Sequence, residues 1–152
     1  MILIDTNVWV YAINVDAPQN GASRRFIETV VSTRHEGVIM PQILLEFYAI
    51  VTDKRRIALP LTSEQALEQM KVIRSLCRLV DAGGKGLENL SHIMAGQPGL
   101  KGAKIFDAYL VAQMMVAGIN RICTYNTHDF KVFKGITPLT PEELLEIRGI
   151  RQ

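Results

Sequence analysis

A three-layer α/β/α domain around a central, mostly parallel twisted sheet is the fold class this sequence predicts, and three observations predict it. Short apolar runs, "ILI" at 2–4, "VIM" at 38–40 and "RICTY" at 121–125, alternate with longer segments of helical spacing, as in βα units. Short buried runs between helices suit strands of a mostly parallel sheet covered on both faces. No internal repeat, low-complexity tract or linker divides the 152 residues, so a single domain over 1–152 follows.

Taken in order, "ILI" is a buried strand that runs into Asp5, and a short helix starts at about Thr6. After a turn near "VDAP", Phe26, Ile27, Val30 and Val31 have helical spacing, and Gly37 marks the end of that helix. "VIM" is the second strand, and Pro41 suits the first turn of the helix "PQILLEFYAIVTD". Thr62 with Gln65 three residues on is a capping-box pattern for the helix "LTSEQALEQMKVIRSLC". "RLVDA" is a weaker strand candidate. It precedes a Gly-rich, less regular stretch from Gly83 to Gly102 with a short helix around "LENLSHIM". "DAYLVAQMMVAG" is a helix closed by Gly118, "RICTY" is the last clear strand, and "TPEELLEI" is a helix capped by Thr140 with Pro141 in its first turn.

Composition narrows the function classes without choosing one. Hydrophobic residues make up 48% and charged residues 21%, which excludes wholesale disorder. With 17 Lys+Arg against 15 Asp+Glu the formal net charge is +2, which permits a nucleic-acid partner without demanding one. Cys77 and Cys123 sit in apolar surroundings with no CxxC or His-rich spacing, so they read as buried reduced thiols. "MILID" lacks a signal-peptide pattern, and no run reaches the ~18 apolar residues of a membrane span. A cytoplasmic, soluble protein is expected.

Four carboxylates occupy unusual places. Asp5 ends the first strand, at the sheet edge where parallel sheets bind ligands. Glu46 follows Ile43 by three residues and precedes Ile50 by four, which puts it on the apolar stripe of its helix. Asp107 begins a helix after the apolar pair Ile105 and Phe106, and Asp129 lies in the loop after "RICTY". Each alone has an ordinary reading: a helix cap for Asp5 or Asp107, an arginine-paired acid for Glu46, a turn residue for Asp129. Together, in a doubly wound sheet, they can converge on one cleft. Converging carboxylates repel, so they call for a divalent cation, and all-oxygen ligation suits Mg²⁺ or Mn²⁺ rather than zinc. The chemistry that follows is hydrolysis of a phosphodiester by metal-activated water.

The stretches "LIDTNVWVYA", "PQILLEFYAIV", "IFDAYLVAQMMVAG" and "ICTYNTHDF" resemble the successive motifs of the PIN-domain ribonucleases, most closely the VapC-type toxins of prokaryotic toxin–antitoxin pairs. The resemblance runs from residue 2 to about 140. It implies a compact α/β sandwich, a homodimer, Mg²⁺ or Mn²⁺ dependence, endonucleolytic cleavage of structured RNA and inhibition by a small cognate antitoxin. The family's first and third acids fall on Asp5 and Asp107, the main metal ligands, and its second on Glu46. Its fourth falls in "YNTHDF", where Asn126 and Asp129 are both candidates and the anion Asp129 is preferred. Thr6 and Asn7 complete the first motif and support Asp5.

Basic residues flank the same places. Lys101 and Lys104 precede Asp107, and Lys131 and Lys134 follow Asp129, where they suit backbone phosphates. The run Lys54, Arg55, Arg56 reads as a solvated surface, and Trp9, Tyr11 and Phe130 read as core. Two competitors to a toxin nuclease are a housekeeping RNA-processing nuclease on the same fold and a non-catalytic metal or RNA-binding module. A phosphoacceptor receiver domain would need a second strand-ending Asp and a strand-ending Lys, which "VIMPQ" and "ICTYN" lack.

Overall fold

The computed structural model describes residues 1–97 and 99–150, the side chain of Arg34 excepted. The last two residues of the predicted domain, and residue 98 in the Gly-rich stretch, therefore lie outside the described residues. Five parallel strands form one sheet: β1 (Ile2–Ile4), β2 (Gly37–Ile39), β3 (Arg78–Leu79), β4 (Arg121–Cys123) and β5 (Thr137–Leu139), in the order β3-β2-β1-β4-β5. Leu3 stands opposite Val38 on one side and Ile122 on the other. Ile2, Leu3, Ile4, Val38, Ile39, Ile122 and Cys123 are all buried, which is why these runs show no alternation.

Between β1 and β2 run α1 (Thr6–Ile13), α2 (Asn20–Phe26), a π-helical turn at Ile27–Val31 and α3 (Ser32–Arg34). α4 (Pro41–Val51) and α5 (Ser63–Leu76) lead to β3, while α6 (Gly83–Gly96) and α7 (Lys104–Val116) lead to β4. α8 (Thr127–Phe130) joins β4 to β5, and α9 (Pro141–Ile147) closes the described chain. Right-handed crossovers place α1 to α5 over one face and α6 to α8 over the other, giving the three predicted layers. The contacts agree: α4 packs on α1 and α5, α9 on α2, and α6 on α7. Because the chain leaves β1 towards β2 and leaves β4 towards β5, the switch point of the sheet falls between the carboxyl ends of β1 and β4.

The capping box predicted at Thr62 forms, and the cap predicted at Thr140 is also a capping box, with Glu143 reaching back. Four local expectations change. α6 is a full helix of 14 residues rather than a short one. Asp81 accepts from the Gly83 N–H at 2.9 Å, and glycine at 86 lets α6 lie on α7, since a Cβ there would stand 3.1 Å from Gln113 Cγ and 3.3 Å from Tyr109. The helix ending near Gly37 stops instead at His35, in the left-handed conformation with φ 52°. Gly37 opens β2, and a Cβ there would sit 2.8 Å from both Cys77 Sγ and Val31 Cγ1. β5 escaped prediction because Pro138 interrupts it, and an edge strand tolerates a residue without an N–H. α7 starts at Lys104, three residues before Asp107, with Ile105 and Phe106 exposed in its first turn. Both cysteines are free and buried, and burial pushes the Cys77 thiol up to about 12.

Candidate active site

The carboxyl ends of β1 and β4 are tied together by side chains. Asp5, only 7% exposed, is the N-cap of α1: its Oδ1 accepts from the Thr6 N–H at 2.7 Å. Its Oδ2 accepts from Asn7 Nδ2 at 2.8 Å and from Thr124 Oγ1 at 2.6 Å. Thr124 Oγ1 in turn accepts from Asn7 Nδ2 and from the Asn126 N–H, and Asn7 Oδ1 accepts from the Tyr125 N–H. Asp5 is thus a cap and more than a cap, since one oxygen serves the helix and the other is held by the first residue beyond β4. The same bonds hold Thr6 and Asn7 against Asp5.

Glu46 projects from α4 towards this junction. Thr6 Oγ1 donates to its Oε2 at 2.9 Å and Gln42 Nε2 to its Oε1 at 2.7 Å. Among the described residues no arginine forms an ion pair with it. The Gln42 amide also donates to the Phe106 carbonyl at 3.2 Å, linking α4 to the first turn of α7 one residue before Asp107. Asp107 is half-buried in that first turn, and Asp129 is exposed in the first turn of α8. Asp5, Asp107 and Asp129 therefore all stand at helix N-termini, where the backbone dipole favours anions.

Asp5 and Asp107 feel the acids around them. Burial raises Asp5 to about 6; its hydrogen bonds from Thr124 and Thr6 oppose this, and the charges of Glu46 and Asp107 add to it. Burial likewise raises Asp107 to about 6, helped by Asp129 and Glu46 and opposed by Lys104. Lys104 offsets Asp107 only in part, and both carboxylates stay above their ordinary range. Among the described residues, no three His, Cys, Asp or Glu side chains form a ready-made metal cage. The donor set is nonetheless all oxygen and anionic, the chemistry that fits a hard divalent ion rather than zinc.

A cleft of about 370 Å³ opens beside Asp107 and Asp129, with Lys104 and His128 in its lining. Of the four predicted phosphate-binding lysines, Lys104 alone lines it; Lys101, Lys131 and Lys134 are exposed elsewhere on the surface. Asn126 is the N-cap residue of α8 but makes no side-chain cap bond. Arg55 is held by Asp53 at 2.8 Å in a local pair that lowers Asp53 to about 2, as suits a solvated surface. Trp9 and Phe130 are core residues, and Tyr11 packs edge-on against Tyr125 with centroids 5.2 Å apart. Sequence reasoning missed Thr124 and Gln42. Only Thr124 left a signal, a hydroxyl residue directly after a buried parallel strand.

The sequence profile of the PIN domain matches residues 2–136. The chain belongs to the PIN-domain family. Among the relatives of this PIN domain is Ribonuclease VapC24 of Mycobacterium tuberculosis, 26% identical over 133 residues that span 88% of this chain and 91% of the relative. Its fold matches that of Mycobacterium tuberculosis VapC20, described as a sarcin-ricin loop cleaving toxin, with a TM-score of 0.65 at 16% identity over 87% of this chain and 95% of the other. It also matches VapBC2 from Rickettsia felis, solved on a DNA fragment of its promoter, with a TM-score of 0.67 at 19% identity over 92% and 98% of the two chains.

Proposed function

We propose that this PIN domain is a metal-dependent endoribonuclease and the toxin of a type II toxin–antitoxin pair. The observation that supports the reading is that Asp5 and Asp107 are both raised by burial and by the charge of Glu46, with Asp129 adding to Asp107 and Lys104 offsetting it only in part. These four would hold Mg²⁺ or Mn²⁺. When bound, the ion supplies an activated water and stabilises charge on the phosphate oxygens. The chain's own part is positional. Thr124, Asn7 and the Thr6 N–H fix Asp5, while Thr6 and Gln42 fix both oxygens of Glu46. Lys104, at the start of α7 in the cleft, meets the RNA backbone, with the more distant Lys101, Lys131 and Lys134 adding long-range attraction. Water attack leaves a 5′-phosphate and a 3′-hydroxyl. Asp129 rather than Asn126 completes the acidic set, because its charge acts on Asp107.

The antitoxin reading is supported by the named relatives and by an apolar groove next to Glu46. It measures about 410 Å³ and is lined by Leu45, Phe106 and Tyr109 among others, with Leu45 68% and Phe106 57% exposed. Such a surface suits an apolar peptide segment. A homodimer is supported by the exposed apolar side chains Leu67 and Val72 on α5. No helix among the described residues is long and apolar enough to cross a membrane. An RNA substrate and an antitoxin place the work of the protein in the cytoplasm.

The test is RNA cleavage by the purified protein with Mg²⁺, Mn²⁺ or EDTA, beside Asp5→Asn and Asp107→Asn. Cleavage is expected with either ion and lost in EDTA and in both variants. Equal cleavage in EDTA or in the variants would sink the nuclease reading. A small upstream reading frame whose product binds and inhibits the protein separates a toxin from an RNA-processing enzyme, and sedimentation settles the dimer.

A further inference from the structure

Behind Asp5 lies a second hydrogen-bond network that starts at Tyr125. This residue follows Thr124 after β4, and its backbone N–H donates to Asn7 Oδ1 at 3.2 Å, while Asn7 Nδ2 donates to Asp5 Oδ2 at 2.8 Å. One asparagine thus stands between Tyr125 and the carboxylate. The half-buried side chain of Tyr125 reaches the junction of α1, α2 and α9, where its hydroxyl lies 3.1 Å from Ser23 Oγ, 3.2 Å from Glu142 Oε1 and 3.4 Å from the Gln19 carbonyl. Ser23 is fully buried, and the second oxygen of Glu142, Oε2, is buried with no hydrogen-bond partner among the described residues. Burial pushes the Tyr125 phenol above its ordinary range, so it keeps the proton that it gives to Glu142. The ring packs edge-on against Tyr11, and Asn20 Nδ2 ties the end of α1 to the start of α2 through the Tyr11 and Ala12 carbonyls at 2.8 and 3.0 Å.

We propose that Tyr125 is a positioning residue for Asp5: its hydroxyl, anchored by Ser23 and Glu142, fixes the turn after β4, and the backbone N–H of that turn sets Asn7, which aims Asp5 Oδ2. The proposal rests on the nuclease reading only for the ion that Asp5 would hold. Three features favour it. Tyr125 is held at both ends, by its N–H and by its hydroxyl, so the turn has one seat. A single phenolic proton with three oxygens within 3.4 Å is more support than packing needs, and it joins elements that are far apart in the chain. Asn7 uses both ends of its amide, Oδ1 towards Tyr125 and Nδ2 towards Asp5 and Thr124, so it cannot turn over without setting donor against donor. A displacement of the turn is therefore passed to the carboxylate instead of being absorbed.

The experiment reads ion binding and the metal-free site, not cleavage. Mn²⁺ is titrated into the intact protein and into Tyr125→Phe by electron paramagnetic resonance, and the side-chain amide of Asn7 is followed by NMR in EDTA. Tyr125→Phe keeps the ring and the backbone N–H but releases Ser23 and Glu142. It should shift the Asn7 amide signal and weaken Mn²⁺ binding by roughly threefold to tenfold, less than the roughly 10- to 100-fold of a residue that touches a metal ligand directly. In an Asn7→Ala background the same change should weaken Mn²⁺ binding no further, because the connection is already cut; a purely structural role would add its loss in both backgrounds. Should Tyr125→Phe fail to fold, Ser23→Ala removes one anchor, leaves the ring in place and is read against the same outcomes. An unmoved Asn7 signal, an unchanged Mn²⁺ affinity or a loss that persists in Asn7→Ala would overturn the positioning. The nuclease reading fails separately: weaker Mn²⁺ binding in Tyr125→Phe of a protein that cuts no RNA would leave Tyr125 its role. If the parent bound no Mn²⁺, that reading would fall and the Asn7 signal alone would decide the positioning.

Discussion

Thr124 Oγ1 donates to Asp5 Oδ2 at 2.6 Å, so the residue after β4 holds the carboxylate that ends β1. The same hydroxyl accepts from Asn7 and from the Asn126 N–H. Thr124→Val keeps the shape and removes all three bonds. It should cost about 1–3 kcal/mol, because a buried carboxylate loses a donor and two other donors lose their acceptor. Thr124→Ser should retain most of that stability. Urea unfolding of the two variants checks this, and a loss in Thr124→Ser with none in Thr124→Val would show that the methyl, not the hydroxyl, matters.

Asp5 and Asp107 both rise from 3.8 to about 6 on folding, so the native state binds more protons than the unfolded chain between those values. Stability without metal must therefore fall as pH rises from about 4 to about 6. For buried Asp5 the shift is worth about 3 kcal/mol; half-exposed Asp107 adds less, since solvent screens it. Asp53, lowered to about 2, contributes stability that is lost only below about 4, outside this window. The expected result is a higher melting temperature at pH 5 than at pH 7.5 in EDTA, with the difference closing when Mg²⁺ is added at pH 7.5. A flat metal-free profile would mean that the acids are already compensated.

Neutralising either acid relieves repulsion, but the two variants should behave differently. Asp107 makes no side-chain hydrogen bond among the described residues, so Asp107→Asn should raise metal-free stability by about 1 kcal/mol at pH 7.5. In Asp5→Asn, one oxygen keeps the Thr6 N–H while the new amide faces the donor Nδ2 of Asn7. The clash of donors offsets the relief, so this variant should sit within about 1 kcal/mol of the parent. Thermal melts of both in EDTA decide the matter; a large loss in Asp107→Asn would contradict a shared acidic field.

The strands that carry the site were legible because burial on both faces leaves a plain run of aliphatic residues, and each acid stood out as a charge where such a run ends or where a helix turns inward. What sequence alone could not show was held by contacts distant in the chain. Thr124 meets Asp5 across 119 positions, and a hydroxyl after a buried strand does not say which carboxylate it meets. α6 was under-read because glycine is costly in an isolated helix, whereas here Gly86 is what permits α6 to lie on α7. β5 was hidden by Pro138, whose missing N–H costs nothing at a sheet edge. Lys104 was separable from Lys101, Lys131 and Lys134 only by the cleft it lines.

Gln42 offers a test of positioning apart from charge. One amide nitrogen reaches Glu46 Oε1 at 2.7 Å and the Phe106 carbonyl at 3.2 Å, so it aligns the acid of α4 with the turn that carries Asp107. Gln42→Ala leaves Glu46 with only Thr6, on its other oxygen, and uncouples the two helices. Because the site is partly open to water, the fold should lose no more than about 1 kcal/mol. Outer residues that orient metal ligands commonly change affinity or activity by roughly 10- to 100-fold, and a loss on that scale is expected here. The loss should appear chiefly as a higher Mg²⁺ concentration for half-maximal cleavage, partly rescued by excess metal. Equal loss at every Mg²⁺ concentration, or a melting temperature that falls in step with activity, would assign Gln42 to the fold instead of to the alignment of Glu46 with Asp107.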